Sequence, residues 1–365
     1  MENKFYYAFG EEASRGTKEV TTVGFVPLGS IPKVKFDPKE EFRKQVRGEE
    51  TLLGNTSARR LQSAWSRSIE IDGYSEAGGT AKGMIGTILK HFFSKVTSSQ
   101  NATTGQYRHM MYPVSNPFAA SALGTKALTV NENLAEGISG MKNWPWVGGR
   151  VKGLTFTQDP AQILKISADM FGQFRDTTTA ELGSPVFPAE NLRFDNTGLK
   201  VYTGTITRTG TAPDFTQFAF GSATQVYPQK VVLKLEDGKT DVMTMSGVNY
   251  ANKTRLDAII KATLEMQFDW EDPASGFSSI DEFNAWVAAF SQTNFCLVWD
   301  SGTQAGTGDN HMLIVDLPAM KRSGGDPDFQ LDKDPAISLS YEGMMDAATC
   351  KYLVGLLLKN TAMAV

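Results

Sequence analysis

The side chains able to do acid–base or metal chemistry are few and scattered. The 365 residues hold three histidines, His91, His109 and His311. The helical pattern places His91 inside a helix, and strand patterns place His109 and His311 at matching points of a repeat. That equivalence points to structural roles. Metalloprotease, nucleophile-elbow, P-loop and dinucleotide motifs are absent from any usable strand–helix context. Cys296 and Cys350 sit in apolar settings, NFCLVW and TCKYLV, and no Cys-x-x-Cys or Cys/His spacing accompanies them. Both read as reduced, buried thiols. Two loops carry oxygen ligands. WDSGTQAGTGDN (299–310) sets Asp300 and Asp309 among glycines, the chemistry of a hard cation, but lacks the alternating carboxylates of a calcium loop. SGGDPDFQLDKD (323–334) has four aspartates and reads as turn chemistry. NWPWVGG (143–149) offers Trp144 and Trp146, which could stack on a sugar and are read as candidate inter-subunit contacts. No catalytic residue, metal ligand or cofactor is expected, and the chain is read as a non-enzyme.

The elements around these residues are mostly strands. Period-two alternation runs through IPKVKF (31–36), RSIEID (67–72), QYRHMMYP (106–113), RVKGLTF (150–156), QILKISADM (162–170) and LKVYTGTITRT (199–209). It continues in KVVLKLEDG (230–238), DVMTMSG (241–247), KATLEMQFD (261–269), FCLVWD (295–300), HMLIVDL (311–317) and AISLSYEG (336–343). LEDGKTDV (235–242) reads as a hairpin bending at Asp237-Gly238. Two segments switch to helical spacing. AKGMIGTILKHFFSK (81–95) aligns Ile85, Ile88, Leu89 and Phe92; SSIDEFNAWVAAFSQ (278–292) aligns Phe283, Trp286, Val287 and Phe290. Ser278 or Ser279 supplies an N-cap before an acidic first turn. Each stripe is expected to pack on a sheet.

The pattern occurs twice. RLQSAWSRSIEIDG from Arg60 and RLDAIIKATLEMQF from Arg255 align at an offset of 195. Pro32-Lys33-Val34 and Pro228-Gln229-Lys230-Val231 precede them, and the helical stripes follow at 198. Tyr107–Met110 and Asn310–Leu313 echo at 202, and DPAQILKISAD (159–169) and DPAISLSYEG (334–343) at 175. The drop implies about 25 extra residues in the first copy. Those are assigned to a glycine- and asparagine-rich loop, 115–149. Each unit reads strand, strand, strand, helix, strand, strand, strand.

Composition sets outer limits. The length suits about two domains, and 41% hydrophobic residues is ordinary for a globular chain. With 36 basic and 40 acidic residues, net −4, the chain lacks the basic excess of a tight duplex-DNA binder, yet a polyanion could slide past it. The opening MENKFYYAFGEEASRG lacks an apolar core segment, and YLVGLLLK is too short to span a bilayer. Folding in a reducing cytoplasm, off the membrane, is expected.

The run RSIEIDGYSEAGGTAKGMIGTILKHFFSKVTSSQ (67–100) resembles the tail tube proteins of long-tailed bacteriophages of the siphophage type, in which a strand, a glycine-bearing loop and one short helix follow each other. WVGGRVKGLTFTQDPAQILKISADMFGQF (146–174) resembles that family's glycine–arginine turn into a long hairpin. Residues 227–360 resemble a second tube domain, as in tube proteins whose rings are trimers; the likeness covers roughly residues 25–360. It implies a mainly β chain with some α (α+β): two tandem sandwich- or barrel-forming tube domains, each with one short helix on its sheet. The boundaries are an N-terminal arm 1–30, domain one 31–175 with loop 115–149, a linker or insertion 176–226, and domain two 227–365. It implies a structural virion protein, assembled in the host cytoplasm into trimeric pseudo-sixfold rings that stack as the hollow tail tube. Its partners would be itself, tail terminator, tail tip and tape-measure proteins, and DNA passing without specific binding. Glu70 and Glu265 would face the lumen, and loop 115–149 or the arm would reach the neighbouring ring. A capsid decoration or virion adhesin protein is the alternative; a sheathed tail's one-domain tube protein and a carbohydrate-active enzyme are further ones.

Overall fold

Burial alternates along the strands as a two-residue period demands. In Trp65–Asp72, Trp65, Arg67, Ile69 and Ile71 are buried while Ser66, Ser68, Glu70 and Asp72 lie on the other face. In Lys261–Asp269, Ala262, Leu264, Met266 and Phe268 are buried and Lys261, Glu265 and Asp269 are exposed. The computed structural model describes residues 5–28, 35–36, 39–43, 57–76, 84–101, 105–119, 123–135, 140–183, 185–245, 248–273, 275–288, 292–325, 327–328 and 335–363. Its strands are β1 (Tyr6–Glu12), β2 (Val23–Val26), β3 (Lys35–Phe36), β4 (Lys39–Arg43), β5 (Ser57–Gln62), β6 (Trp65–Asp72), β7 (Val96–Asn101), β8 (Gln106–Met111), β9 (Ala127–Ala135), β10 (Met141–Gln158), β11 (Lys165–Gly172) and β12 (Phe174–Arg175). There follow β13 (Thr179–Ala180), β14 (Leu199–Thr211), β15 (Asp214–Val226), β16 (Lys230–Glu236), β17 (Lys239–Val242), β18 (Lys253–Leu256), β19 (Lys261–Asp269), β20 (Gln292–Gln304), β21 (Asn310–Gly324), β22 (Pro327–Asp328), β23 (Ala336–Gly343) and β24 (Gly355–Asn360). The helices are α1 (Met84–Phe93) and α2 (Ser279–Ala288). The chain is therefore mostly β with two short helices, and no helix among the described residues is long and apolar enough to cross a membrane.

A long antiparallel sheet runs β3–β6–β11–β10–β16–β19–β23–β21. One pairing scheme appears at both ends of it. Hairpin β1–β2 pairs with β9; β9 forms a hairpin with β10; the far half of β10 enters the long sheet beside β11, which pairs with β6. Hairpin β14–β15 pairs with β20; β20 forms a hairpin with β21; the far end of β21 enters the sheet beside β23, which pairs with β19. One hydrophobic core runs through both halves, joining Ile69, Phe156 and Leu233 to Leu264, Phe295 and Leu339.

Several sequence readings change here. Segment 115–149 is not a long loop: most of it is the β9–β10 hairpin. The asparagines and threonine of its two strands, which look loop-like, are buried and bonded. Asn143 Nδ2 donates to Asn131 Oδ1 at 2.8 Å, Asn131 Nδ2 to the Glu19 carbonyl at 3.0 Å, and Thr129 Oγ1 to Glu12 Oε1 at 2.8 Å. Within segment 1–30, β1 and β2 are paired into the chain's own sheet instead of projecting as an arm. The second half of the 176–226 linker is hairpin β14–β15, the counterpart of that N-terminal hairpin. Asp237-Gly238 does not close a hairpin either. After β16 the chain leaves the long sheet, and β17 pairs with β18.

Helix α1 buries Ile85, Ile88, Leu89, Phe92 and Phe93, against β2, β8 and β10. Its N-terminal amides meet a carboxylate, Gly86 N–H donating to Glu76 Oε1 at 2.9 Å. Helix α2 starts at an N-cap, Asp281 N–H donating to Ser278 Oγ at 3.0 Å.

Candidate functional site: an open sheet face and a strand junction

The long sheet has one packed and one open face. Along the open face, registered strand pairs carry Glu70, Asp72, Asp169, Glu236, Glu265, Asp269 and Glu342 against Lys165, Lys230, Lys234, Lys261 and Lys321. Seven carboxylates thus face five ammonium groups among the residues whose side chains are described, with serines and threonines between them. Glu70 and Glu265 lie on this same face, but Glu70 is not bare: Lys165 Nζ approaches its Oε1 to 3.1 Å. Lys234 and Glu236 pair at 2.6 Å. The face is polar and mildly acidic, without a cleft that converges charges on a point.

Within the long sheet the two halves meet where β10 and β16 pair, from Gly153↔Glu236 to Gln158↔Val231, and β8 pairs with β24 outside it. Polar contacts reinforce the seam. Lys230 Nζ meets Asp159 Oδ1 at 2.8 Å, and Arg15 Nη2 meets Asp241 Oδ2 at 2.8 Å. The deepest is Lys239. Its side chain is 1% exposed and its partner Asp237 is 0% exposed, with 2.5 Å between ammonium and carboxylate. Burial pushes the Asp237 carboxyl up and the Lys239 ammonium down. Lys239 Nζ also donates to the carbonyls of Phe92 at 2.7 Å and His91 at 3.1 Å, and reaches Val151 O at 3.4 Å. A cation from the second half thus caps the C-terminal end of the first half's helix, where orphan carbonyls and the helix dipole favour positive charge.

The remaining predicted residues are placed as follows. Ile85, Ile88, Leu89 and Phe92 are core residues. Phe283 is half-buried against the core and Trp286 half-buried beside Arg322, whose guanidinium lies 4.8 Å from its ring. Val287 departs from the expectation: it is 67% exposed, because its side of α2 meets no covering element among the described residues. Phe290 lies outside the described residues. Trp146 is not a free contact residue. It is 6% exposed, donates to Glu132 Oε2 at 2.8 Å and forms, with Tyr7 and Trp65, an aromatic box around the buried Arg67 guanidinium. Trp144 is half-buried, with the Arg175 guanidinium 3.6 Å from its ring centre.

The histidines are buried, and His109 and His311 are hydrogen-bonded. His91 Nε2 lies 3.4 Å from Glu11 Oε2, and Glu11 also holds Lys90 at 2.6 Å and Lys126, tying β1 to α1. His109 contacts Ser98 Oγ, Asn360 Oδ1 and the Ala362 carbonyl; His311 contacts Ser75 Oγ. Burial lowers all three pKa values, that of His91 to about 4. His109 and His311 are not repeat counterparts: β8 and β21 lie on opposite sides of β24. Asp300 accepts from Gly302 N–H and Asn310, and Asp309 is paired to Arg108 and Lys359. Among the described residues no His, Cys, Asp and Glu group could hold a metal ion. Cys296 and Cys350 are free and buried.

The chain matches no protein-family model and no curated protein.

Sequence reading missed Lys239 and Arg67, because their partners are remote in the chain. A trace of the first was present: Asp37-Pro38-Lys39 and Asp237-Gly238-Lys239 stand 200 apart.

Proposed function

We propose that this chain is a structural tube protein of the siphophage tail type. Its two tandem units act as successive sixths of a ring, so three chains close a pseudo-sixfold annulus, and stacked annuli form the channel for DNA. The observation that carries the reading is the β10–β16 junction. There the last long-sheet strand of one unit pairs with the first strand of the next, head to tail. A head-to-tail contact uses two different surfaces, so it propagates until it closes a ring or winds into a filament. In the second unit β21 occupies the place of β10, and in the first unit β3 occupies the place of β16. The same step between chains joins β21 of one to β3 of the next.

The open face supports the channel. Continued around a ring, it lines the lumen with serine, threonine and mixed charge of slight acidic excess, a surface that does not hold phosphates. The chain's work is assembly, not catalysis. Its partners would be further copies, the tail terminator, the tail tip and tape-measure proteins, and its place the virion tail after assembly in the host cytoplasm.

Negative-stain microscopy with mass photometry tests this. Hollow rings or tubes, with a ring mass near three times 39.9 kDa, are expected. Solid oligomers without a channel at every concentration would overturn the tube reading and favour a decoration or adhesin protein.

A further inference from the structure

The Lys239 cap has a sequence counterpart in the first unit. Lys239 opens β17, the strand that leaves the long sheet after β16, pairs with β18 and returns through Arg255-Leu256 to β19. Lys39 opens β4, which follows β3, pairs with β5 and returns through Arg60-Leu61 to β6. Both lysines are the third residue of an Asp-x-Lys triplet. The order of strands, the triplet and the returning Arg-Leu coincide, so Lys39 stands in the first unit where Lys239 stands in the second.

Lys239 caps the helix of the unit before its own. The unit before the first one belongs to another chain, and its helix is α2. That helix is built for an external cation. Its first turn carries Asp281 and Glu282, and its last turn carries no basic residue. The last turn of α1, by contrast, holds Lys90 and His91. Val287 and Ala288 are exposed, whereas Phe92 and Phe93 at the end of α1 are buried. A negative dipole end, exposed and with no basic residue in its last turn, complements a lysine.

We propose that Lys39 of one chain caps the C-terminal end of α2 in the adjacent chain, locking each inter-chain strand pairing as Lys239 locks the in-chain one. This rests on the ring reading above. It adds the residues of the contact and its direction: β21 and α2 of one chain meet β3 and β4 of the next.

The test is a Lys39→Cys/Ala288→Cys double variant treated with a short bismaleimide, run beside each single variant and viewed by microscopy. The native thiols Cys296 and Cys350 are both 0% exposed and stay unreactive. A ladder ending at a closed trimer, only in the double variant, is expected. Lys39→Glu should raise the protein concentration needed for ring formation about tenfold without lowering the unfolding midpoint of the monomer. Rings with no double-variant ladder, or rings unaffected by Lys39→Glu, would overturn the cap and leave the ring standing. Absence of rings from the wild-type chain would overturn both.

Discussion

Replacing Lys239 by Met removes one ammonium and isolates several groups at once. Asp237, 0% exposed, loses its 2.5 Å partner, and the last carbonyls of α1 lose their donor. A buried ion pair contributes little beyond an apolar pair of the same shape, but removing one member strands the other in a medium that solvates it poorly. The expected loss is about 3–5 kcal/mol for Lys239→Met. The double variant Asp237→Asn/Lys239→Met, which leaves no buried charge behind, should recover more than half of that loss. Guanidinium titration followed by tryptophan fluorescence provides the free energies, and the coupling follows from the double-mutant cycle. A single variant within about 1 kcal/mol of wild type, or a double variant as unstable as the single, would refute the reasoning. The second outcome would mean that packing of the lysine stem, not its charge, supports the seam.

Two further perturbations address the open face and the packed one. Glu70→Lys, Glu236→Lys and Glu265→Lys together turn the acidic excess of the open face basic; assembled protein should then retain double-stranded DNA with a steep salt dependence in filter binding, where wild type retains none at physiological salt. Gly172→Ala places a methyl group 2.2 Å from Trp65 Cε2 and should lower stability by about 1–3 kcal/mol, read in the same titration.

What could be read from the sequence follows from the range of the forces involved. Alternation in RSIEID and KATLEMQFD reports a strand's two faces directly, since each residue meets either core or solvent. The α1 stripe was readable for the same reason. Ala127–Ala135 was not, because Thr129, Asn131 and Asn133 are buried polar groups whose partners sit on β1, β10 and beyond, over a hundred residues away in several cases. Val287 misled because a helical stripe states which face is apolar, not whether anything covers it. The in-chain seam was unreadable as a contact. Lys239 and Asp237 look like turn residues in sequence, and only the packing of one half on the other gives their charges a reason to be buried.

The same separation of local and remote forces appears in two buried ionisable groups at opposite ends of α1. Glu76 lies against the helix N-terminus, and burial raises its pKa from 4.5 to about 7 despite the Gly86 and Ile85 amides. His91 lies near the C-terminus with Glu11, Lys90 and Arg150 about it, and burial lowers its pKa from 6.5 to about 4. In the pH interval between its two values, Glu76 binds more proton in the folded state than in the unfolded one, so stability falls as pH rises from 4.5 to 7. His91 binds more proton in the unfolded state, so stability falls as pH drops from 6.5 to 4. Each shift is 2.5 units, or about 3 kcal/mol over its full range. Between pH 4.5 and 6.5 the two slopes oppose each other, and wild-type stability should be nearly flat with respect to this pair. Glu76→Gln keeps acceptor geometry for the helix amides and deletes one slope. Its stability relative to wild type should rise with pH from 4.5 and level off above 7. His91→Gln should show the mirror behaviour, its stability relative to wild type falling as pH rises from 4 to 6.5. All other carboxylates titrate alike in the three proteins, so the difference curves isolate the two groups. Difference curves that stay level across pH 4–7 would mean that neither group remains buried in its present form, and that the helix ends open to water before the core unfolds.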